Sequence, residues 1–345
     1  KKNYNFFLKL LSNNFQNKNL TIKKSNVFFK NSDKEVLFIN KIINLRYYYD
    51  TKELKNFVVS KNKIFNFEYD IELHKDSIQK KLFSKLKINF IKLKINNELD
   101  YSEENKNGVA NFTLNKTRST SKYELNNKLF KFNFFDKLEN PKYSFNGEFN
   151  FNPFYSSLTG TTKQLDTNYL LNSNAIFIQI LKTKLFNHEN IDFFLNINAD
   201  NLYNNLNFKS IFFKLKIKES LIDINNTNFK WKNFAKFKIS DSLIYVKDKQ
   251  LVLDGKLHIK IFKQKEIFKY LLTPKKYRKE LKDIDLNFSY NFDQKSISFN
   301  DIIIDNKYNK KINQKINEII FKENNLQNRI YIKNFVNNAL KSYSG

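Results

Sequence analysis

The side chains that most often carry enzyme chemistry are scarce in this sequence. Histidine, the commonest acid–base group near neutral pH, occurs only as His74, His188 and His258. The first and the last lie on the polar sides of alternating runs, His188 lies in a polar turn, and none has companions at metal-ligand spacing. The neighbouring carboxylates Glu103 and Glu104 fall in a hydrophilic loop. We therefore predict exposed, non-catalytic positions for these residues and no metal site.

Sequence motifs for other chemistries are also missing. There is no cysteine, and hence neither a disulfide framework nor a thiolate metal site. No glycine-rich phosphate loop is present, and no set of serine, histidine and aspartate stands out. We predict that the protein is not an enzyme and has no cofactor. The apolar and basic surfaces are then the functional candidates.

The most regular apolar surface is encoded between residues 210 and 262. In its first run Ile211, Phe213, Leu215 and Ile217 alternate with lysines, a period of two that predicts a strand with one buried and one wet face. Short polar breaks separate this run from the next ones. Because a parallel crossover needs a dozen residues or more, breaks this short predict neighbouring antiparallel strands.

Similar runs fill most of the remaining sequence, with roughly fifteen strands in all. Ile64–Leu73 is interpreted as one strand, and 82–96 as one strand with a β-bulge at Phe90–Ile91, where the apolar phase shifts. A hairpin is predicted to turn at Gly147, and a short helix to follow Thr51. With only five glycines and three prolines, asparagine is expected to supply the turns. Further helices are predicted within 170–185, at 264–272, and as a C-terminal pair separated by Asn324–Asn325.

The net charge of +27 ordinarily suggests nucleic acid or an anionic membrane as a partner. Two observations weaken this inference. Lysine, asparagine, isoleucine and phenylalanine are abundant together, as in proteins from AT-rich genomes, and arginine, which favours bidentate phosphate contacts, occurs only four times. A solvated basic face is therefore the simpler interpretation, and nucleic acid is not the expected partner.

An amphipathic sheet of this length has to hide its apolar face. An open twisted sheet rarely exceeds about ten strands without curling or splitting, so the alternatives are a closed barrel, a sandwich and an open trough. The alternation alone favours a sandwich whose core packs on itself. A trough would leave an apolar lining that another molecule can occupy.

Two stretches of the sequence carry a resemblance to a known family. The run 229–246 continuing into 251–257, and Pro274–Arg278 followed by Asp285–Asp293, resemble AsmA-family envelope proteins of Gram-negative bacteria. The likeness is strongest over 160–306 and weaker over 27–138. It implies an inner-membrane anchor, a periplasmic body of repeating β-groove, and a role in lipid transport or outer-membrane assembly. The family's N-terminal transmembrane helix is not in this sequence, which begins at Lys1, so we expect a fragment whose anchor lies elsewhere.

Together these arguments predict a mainly β protein: a long antiparallel meander curled into an elongated apolar groove, with a few short helices and a C-terminal helical hairpin. The expected regions are a polar, helical segment at 1–20, a β-rich region at 21–155, AsmA-like repeats at 156–306 and the hairpin at 307–345. The stretch 156–172 is the expected boundary. The side chains expected to line the groove are Phe65, Phe67, Tyr69, Ile71, Leu86, Ile88, Ile211, Phe213, Leu215, Ile217, Leu257, Ile259, Ile261, Leu286, Phe288 and Tyr290.

The function predicted from these features is to shield or conduct phospholipid acyl chains. The basic cluster of Lys275, Lys276, Arg278 and Lys279 is the candidate for contact with anionic head groups or a membrane surface. Other envelope proteins are further expected partners. Two alternatives stay open: a basic, organellar or ribosome-associated RNA-binding protein, and a structural scaffold of the envelope.

Overall fold

The computed structural model describes residues 19–30, 34–139, 141–151, 154–167, 175–183, 191–203, 205–317, 319–322 and 328–344. The chain is mainly β, and its 21 described strands are grouped into one sheet. Successive strands pair antiparallel, as the short polar breaks predicted. The prediction of a long antiparallel sheet with a few short helices is confirmed. Contacts divide the chain into two compact units, Lys1–Thr161 (unit 1) and Thr162–Gly345 (unit 2).

Unit 1 is built from strands, and the part of it that the structure describes contains no α-helix. The helical segment predicted within 1–20 lies almost entirely outside the described residues. Strand β11 crosses the unit boundary, so the expected boundary stretch 156–172 begins in a strand rather than a loop. The strands are β1 (Leu20–Lys30), β2 (Val36–Asp50), β3 (Lys55–Ile64), β4 (Phe67–Asp76), β5 (Lys81–Ile88), β6 (Leu93–Asp100), β7 (Lys106–Leu114), β8 (Thr117–Leu125), β9 (Leu129–Phe135), β10 (Tyr143–Phe151) and β11 (Phe154–Leu165).

Unit 2 combines strands with helices. Its strands are β12 (Asp192–Leu202), β13 (Asn205–Lys218), β14 (Leu221–Asp223), β15 (Asn228–Trp231), β16 (Ala235–Lys247), β17 (Gln250–Ile261), β18 (Asp283–Asn291), β19 (Ser296–Ile304), β20 (Lys307–Tyr308) and β21 (Ile320–Lys322). Its helices are α1 (Ile176–Lys182), α2 (Gln264–Tyr270), α3 (Lys310–Asn317) and α4 (Arg329–Ser344), with a 3-10 turn at Lys275–Tyr277. The two C-terminal helices were predicted, but strand β21 lies between them.

Several predicted element boundaries in unit 1 are wrong because hairpins were overlooked. Residues 64–73 are not one strand, since a two-residue turn at Phe65–Asn66, with φ of 47° and 70°, separates β3 from β4. The expected bulge at Phe90–Ile91 is a four-residue turn between β5 and β6. The helix expected after Thr51 is a turn that leads directly into β3. These turns use almost no glycine or proline, the residues that normally mark them.

Glycine has an unexpected place in this sheet. Gly147, predicted to turn a hairpin, lies in the middle of β10 directly opposite Phe132 of β9. A Cβ atom at Gly147 would lie 2.4 Å from the Phe132 ring. Gly108 opposite Tyr123 is covered in the same way. An aromatic ring that lies over a strand glycine shields the exposed backbone, so these glycines hold rings flat against the sheet.

The left-handed backbone conformations that glycine usually supplies are taken by other residues. None of the described glycines has a positive φ, whereas lysine holds seven such positions and asparagine four. Asparagine was expected to dominate, because its side chain tolerates this region best. Lysine has no such advantage, and its frequent use follows its abundance in the chain.

Unit 2 has a dense core beneath its C-terminal helices. Ile312 and Ile316 of α3, Leu340 of α4 and Phe268 of α2 are all buried there. They pack against the inward-facing side chains of strands β17 to β19. Helix α1 covers another part of the unit with Ile178 and Leu181, which are almost fully buried. The helices therefore act as a second layer over part of the sheet.

Candidate functional site

One face of the sheet in unit 1 carries many apolar side chains, and no described helix of that unit lies over it. Pairing register fixes which side chains share this face, because directly opposite residues point to the same side. We call it the inner face. Its apolar members include Ile71, Leu86, Ile95 and Phe112, which lie in one row across β4 to β7, and the phenylalanines of β9 and β10.

Burial shows that the inner face is only partly covered. Among the described residues of unit 1, the buried apolar side chains are Phe67, Leu99, Ala110 and Leu125. The other large apolar side chains of the face stay partly accessible to solvent. Unit 2, in contrast, buries most of its inward-facing side chains. Partial exposure of a continuous apolar face is characteristic of a surface that binds another apolar molecule.

Aromatic rings form the densest part of the inner face. Phe134 lies between Tyr143 and Phe112, with ring centroids 5.7 and 5.2 Å away. Phe130 and Phe132 stack at 5.6 Å. Such pairs gain about 0.5–1.5 kcal/mol beyond the area they bury, so they make a rigid, flat apolar platform.

Two tyrosine hydroxyls on the inner face are hydrogen-bonded within the chain. The Tyr69 hydroxyl donates a hydrogen bond to Asn40 at 2.9 Å, and the Tyr123 hydroxyl donates one to Asn97 at 2.7 Å. Burial raises the pKa of both tyrosines above the ordinary value. Because these hydroxyls are already paired, the tyrosines present mainly their rings, and the face offers little that recognises a polar ligand.

Charged side chains are largely kept to the opposite, outer face. There Lys85 contacts Glu72 at 2.8 Å and Lys81 contacts Glu98 at 2.5 Å. The Glu98 carboxylate raises the pKa of Lys81. Ion pairs of this kind place acidic side chains among the lysines of the basic face expected from composition. A mixed-charge outer face favours solubility over binding of one charged partner.

Lys75 is the exception, because it points to the inner face opposite Leu82. Its side chain is buried, and its ammonium group lies 5.4 Å from the centre of the Tyr101 ring. Burial, with Lys80 nearby, lowers the pKa of Lys75. This lysine was not singled out from the sequence, where it is one of many.

The predicted groove residues of unit 1 fall mostly on the inner face. Tyr69, Ile71, Leu86 and Ile88 are partly buried there, and Phe67 is buried. Phe65 is instead part of the β3–β4 turn. The structure thus brings five of these six predicted residues onto one surface. It adds the aromatic rings of β9 and β10, which were assigned to strands but not to the groove.

The predicted groove residues of unit 2 are placed differently. Ile211, Leu215 and Ile217 are buried, Leu215 and Ile217 at 1% and 0% exposure, and Phe288 is buried as well. Side chains this enclosed present no surface to a ligand. Two further members, Ile261 and Leu286, pack against the cluster beneath the C-terminal helices. The others, Phe213, Leu257, Ile259 and Tyr290, are partly buried.

A hydrogen-bonded set of serine, histidine and aspartate lies across three strands of unit 2. His258 of β17 is 2.7 Å from the Ser240 hydroxyl through Nε2 and 2.5 Å from Asp285 through Nδ1. This set was not predicted from the sequence, since 45 residues separate its ends and only the β16–β17–β18 register aligns them. His258 and Asp285 have about two-fifths of their side chains exposed.

The chemistry of this set is limited by its position on the sheet. Acyl transfer needs backbone N–H donors aimed at the developing oxyanion as well as a serine–histidine–aspartate relay. Here the amides of the central strand β17 are used in its two ladders, and in the bulge beside Ser240 the Ser242 N–H already donates to the Asn225 side chain at 2.8 Å. We therefore interpret Ser240, His258 and Asp285 as a polar clasp that joins three strands.

The other histidines and the glutamate pair considered in the sequence are placed as follows. His74 lies on the outer face between the rings of Phe57 and Phe83, at centroid distances of 5.5 and 4.6 Å. Burial and nearby Lys55 lower its pKa. Glu103 and Glu104 are exposed in a loop, as predicted. His188 lies outside the described residues.

The predicted basic cluster is exposed beside the C-terminal helix. Lys275, Lys276, Arg278 and Lys279 all lie at the surface. Two of them also make internal contacts: the Arg278 Nε group donates to the Thr273 carbonyl at 2.9 Å, and Lys279 donates to the Tyr343 carbonyl at 3.3 Å. The cluster is therefore held in a defined position on unit 2.

Comparison with known proteins adds no relative. No family model, no curated protein and no solved structure matches the chain. The resemblance to the AsmA family therefore stays a prediction. Within the described ranges, no helix combines the length and apolarity needed to cross a bilayer. The described residues also contain no cluster of three or more histidine and carboxylate side chains that could hold a metal ion.

Proposed function

We propose that the protein binds lipid acyl chains on the inner face of unit 1, as part of lipid transport or shielding in a bacterial envelope. The observation that carries the proposal is the partly exposed inner face of β4 to β10, where rows of apolar and aromatic side chains lie beside a few buried serines such as Ser119 and Ser121. Within the described part of unit 1, neither helix nor second sheet covers it. The resemblance of the sequence to AsmA-family proteins supports the same role.

The energetics favour a long apolar ligand over a compact polar one. Each methylene that leaves water contributes about 0.8 kcal/mol, so an acyl chain along one row of side chains gains several kcal/mol. The paired tyrosine hydroxyls add no anchoring group for a head group. Binding should be strong for the tail and weakly selective for the head, as suits a carrier of bulk phospholipid.

The geometry weighs against the RNA-binding alternative. Proteins that bind single strands combine stacking rings and positive charges on one surface. In unit 1 the aromatic platform lies on the inner face, whereas Lys85 and Lys131 point to the outer face. The densest ring cluster and these lysines are thus on opposite sides of the sheet, although the outer face carries a smaller stack of Phe57, His74 and Phe83.

The proposal restricts the site to unit 1. Unit 2 places helices over part of its own sheet and buries Leu215, Ile217 and Phe288. A ligand there would have to displace packed side chains, which costs several kcal/mol. The groove is therefore proposed for five of its sixteen original candidates, those on the inner face of unit 1.

Organic extraction of the purified chain followed by mass spectrometry tests the proposal. We expect phospholipid or fatty acid well above the amount in a control protein prepared identically. Ile95→Asn, on the inner face, should lower the bound lipid several-fold. Val109→Asn changes an exposed residue of the outer face on the neighbouring strand and should leave it unchanged. Lipid at the control level, or equal lipid in both folded variants, would refute the proposal.

A further inference from the structure

A second surface, on unit 2, combines exposed apolar side chains with clustered positive charge. Helix α2 lies in its centre. Phe262 precedes the helix and Leu272 follows it, with 52% and 62% of their areas exposed. Lys265 and Lys269 lie between them and are also exposed. Phe262 and Leu272 thus flank the two ends of the short helix, with exposed lysines between them. Phe268 of the same helix is buried.

Leu272 is in a conformation that leucine normally avoids. Its φ is 51°, in the left-handed region that favours glycine. The Leu272 N–H bonds to the Lys269 carbonyl, and the Thr273 N–H bonds to the Phe268 carbonyl at 2.9 Å. These two bonds define a Schellman motif, which ends a helix with glycine at the position that Leu272 occupies here.

The leucine therefore costs the folded chain about 1 kcal/mol of backbone strain and buries little in return. Its neighbours fix it in place. The Asn337 amide of α4 donates to the Leu271 carbonyl at 3.1 Å, and the Thr273 hydroxyl donates to Asn337 at 2.7 Å. Leu272 is thus an apolar side chain held at a fixed position in solvent, where another apolar phase can contact it.

The charged residues around Leu272 indicate that this apolar phase is an anionic membrane. Between residues 262 and 282 there are eight basic and two acidic side chains, all exposed. Seven of the eight are lysines, which act as point charges toward anionic head groups. Lys232 adds a further one, 4.6 Å from the Tyr270 ring centre. Tyr270 itself packs on Trp231 at 5.3 Å.

We propose that this surface, formed by α2, Phe262, Leu272 and the basic cluster at 275–279, docks on an anionic bilayer. Phe262 and Leu272 enter the interface between head groups and acyl chains, and the lysines face the lipid phosphates. Amphipathic helices bind membranes through this combination of apolar insertion and electrostatic attraction. Each lysine near the surface adds attraction that salt weakens. The proposal does not depend on lipid binding by unit 1.

Co-sedimentation of the whole chain with lipid vesicles tests the proposal. We expect binding to vesicles of phosphatidylcholine mixed with phosphatidylglycerol, weakened by salt, and much weaker binding to phosphatidylcholine alone. Leu272→Gly should reduce the partition coefficient about tenfold, because a buried leucine contributes a factor of this order. The same change should leave the folded chain at least as stable, because glycine relieves the strain.

The chain offers a matched control for each variant. Leu54 in unit 1 is also an exposed leucine with a positive φ, 46% exposed at 55°, so Leu54→Gly should leave vesicle binding unchanged. Lys275→Glu with Lys276→Glu should abolish binding, whereas Lys247→Glu with Lys249→Glu, in another exposed turn, should not. Ile95→Asn should bind vesicles normally, which separates this proposal from lipid binding by unit 1.

Several results would overturn the proposal. Equal binding of both vesicle types, or full binding by folded Leu272→Gly, would show that this surface is not the membrane-binding site. Retention on polyuridine that is lost in the Lys275→Glu, Lys276→Glu variant, without vesicle binding, would assign the surface to nucleic acid instead.

Discussion

Tyr245 shows how one hydrogen bond in this chain couples stability to pH. Its hydroxyl donates to Asp254 at 2.6 Å, and this bond raises the pKa of Tyr245 to about 12. Below about pH 10 the hydroxyl is protonated in both folded and unfolded chains. Between pH 10 and 12 the unfolded chain loses a proton that the folded chain keeps. The stabilisation from this bond is therefore lost as pH rises through that range.

We expect Tyr245→Phe to reduce the alkaline loss of stability. The variant should be less stable than the natural chain by about 1 kcal/mol at neutral pH, the usual net value of one hydrogen bond. The difference should shrink between pH 10 and 12 in urea denaturation followed by circular dichroism. Tyr308→Phe, which changes an exposed tyrosine, is the control. A difference between the two chains that stays constant up to pH 12 would contradict the assigned bond.

Single residues also explain why the polar clasp escaped prediction. Ser240 immediately precedes Asp241, whose φ of 47° marks the bulge in β16. A bulge changes which residues align with the next strand, and its position is not visible in an alternating sequence that contains a polar break. His258 and Asp285 were each placed correctly on strands. Their alignment needed the register, which the sequence pattern does not provide.

At the scale of elements, the strands were predictable and the turns between them were not. Alternation located most strands of unit 2 within a few residues, because one buried face imposes a strict period of two. The same alternation misled at Phe65 and at Phe90. A hairpin and a bulge both switch the parity of inward-facing residues, and only turn residues such as glycine distinguish them. This chain uses lysine and phenylalanine in those turns.

Which part of the apolar face is covered by helices could not be predicted from the sequence either. Alternation in unit 1 and unit 2 looks the same, although among the described residues helices cover the sheet in unit 2 and not in unit 1. Helix α3 was predicted from its spacing of isoleucines. Where it would dock was not, since a helix with one apolar stripe can pack on any exposed apolar surface. Five of the six unit 1 candidates therefore share the inner face, whereas the unit 2 candidates are buried or partly buried.

The docking of α3 on β19 depends on one asparagine. Asn313 is 1% exposed; its side chain accepts a hydrogen bond from the Ile302 N–H at 2.7 Å and donates one to the Ile302 carbonyl at 2.8 Å. Among the described pairings, β20 and β21 bond to other residues of β19 and leave Ile302 to the helix. The Asn313 side chain thus takes the place of a neighbouring strand as the hydrogen-bond partner of the Ile302 backbone.

We expect Asn313→Ala to destabilise the chain by about 2–4 kcal/mol, because it leaves a buried N–H and a buried carbonyl without partners. Urea denaturation gives the loss, and amide exchange should speed up at Ile302 more than at Leu253 on the central strand β17. Gln314→Ala, at an exposed position of the same helix, should change stability by less than about 0.5 kcal/mol. Equal effects of the two substitutions would show that the amide does not hold the helix.

For the whole molecule, the net charge of +27 is the dominant electrostatic fact. The described ion pairs are partly exposed, and pairs of this kind contribute little to stability. The unbalanced lysines repel one another, and they do so more in the compact state than in the unfolded chain. Low ionic strength should therefore be the less stable condition for this protein, in contrast to a protein held together by salt bridges.

Raising sodium chloride shortens the Debye length from about 20 Å at 0.02 M to about 6 Å at 0.3 M, which screens this repulsion. We expect the urea midpoint to rise over this range, measured by circular dichroism at neutral pH. Vesicle binding should fall over the same range, because the same screening weakens attraction to anionic lipid. A urea midpoint that rises with salt while vesicle binding falls would show that binding is lost from a chain that remains folded. A midpoint that falls with salt would contradict the repulsion argument, since favourable ion pairs would then outweigh it.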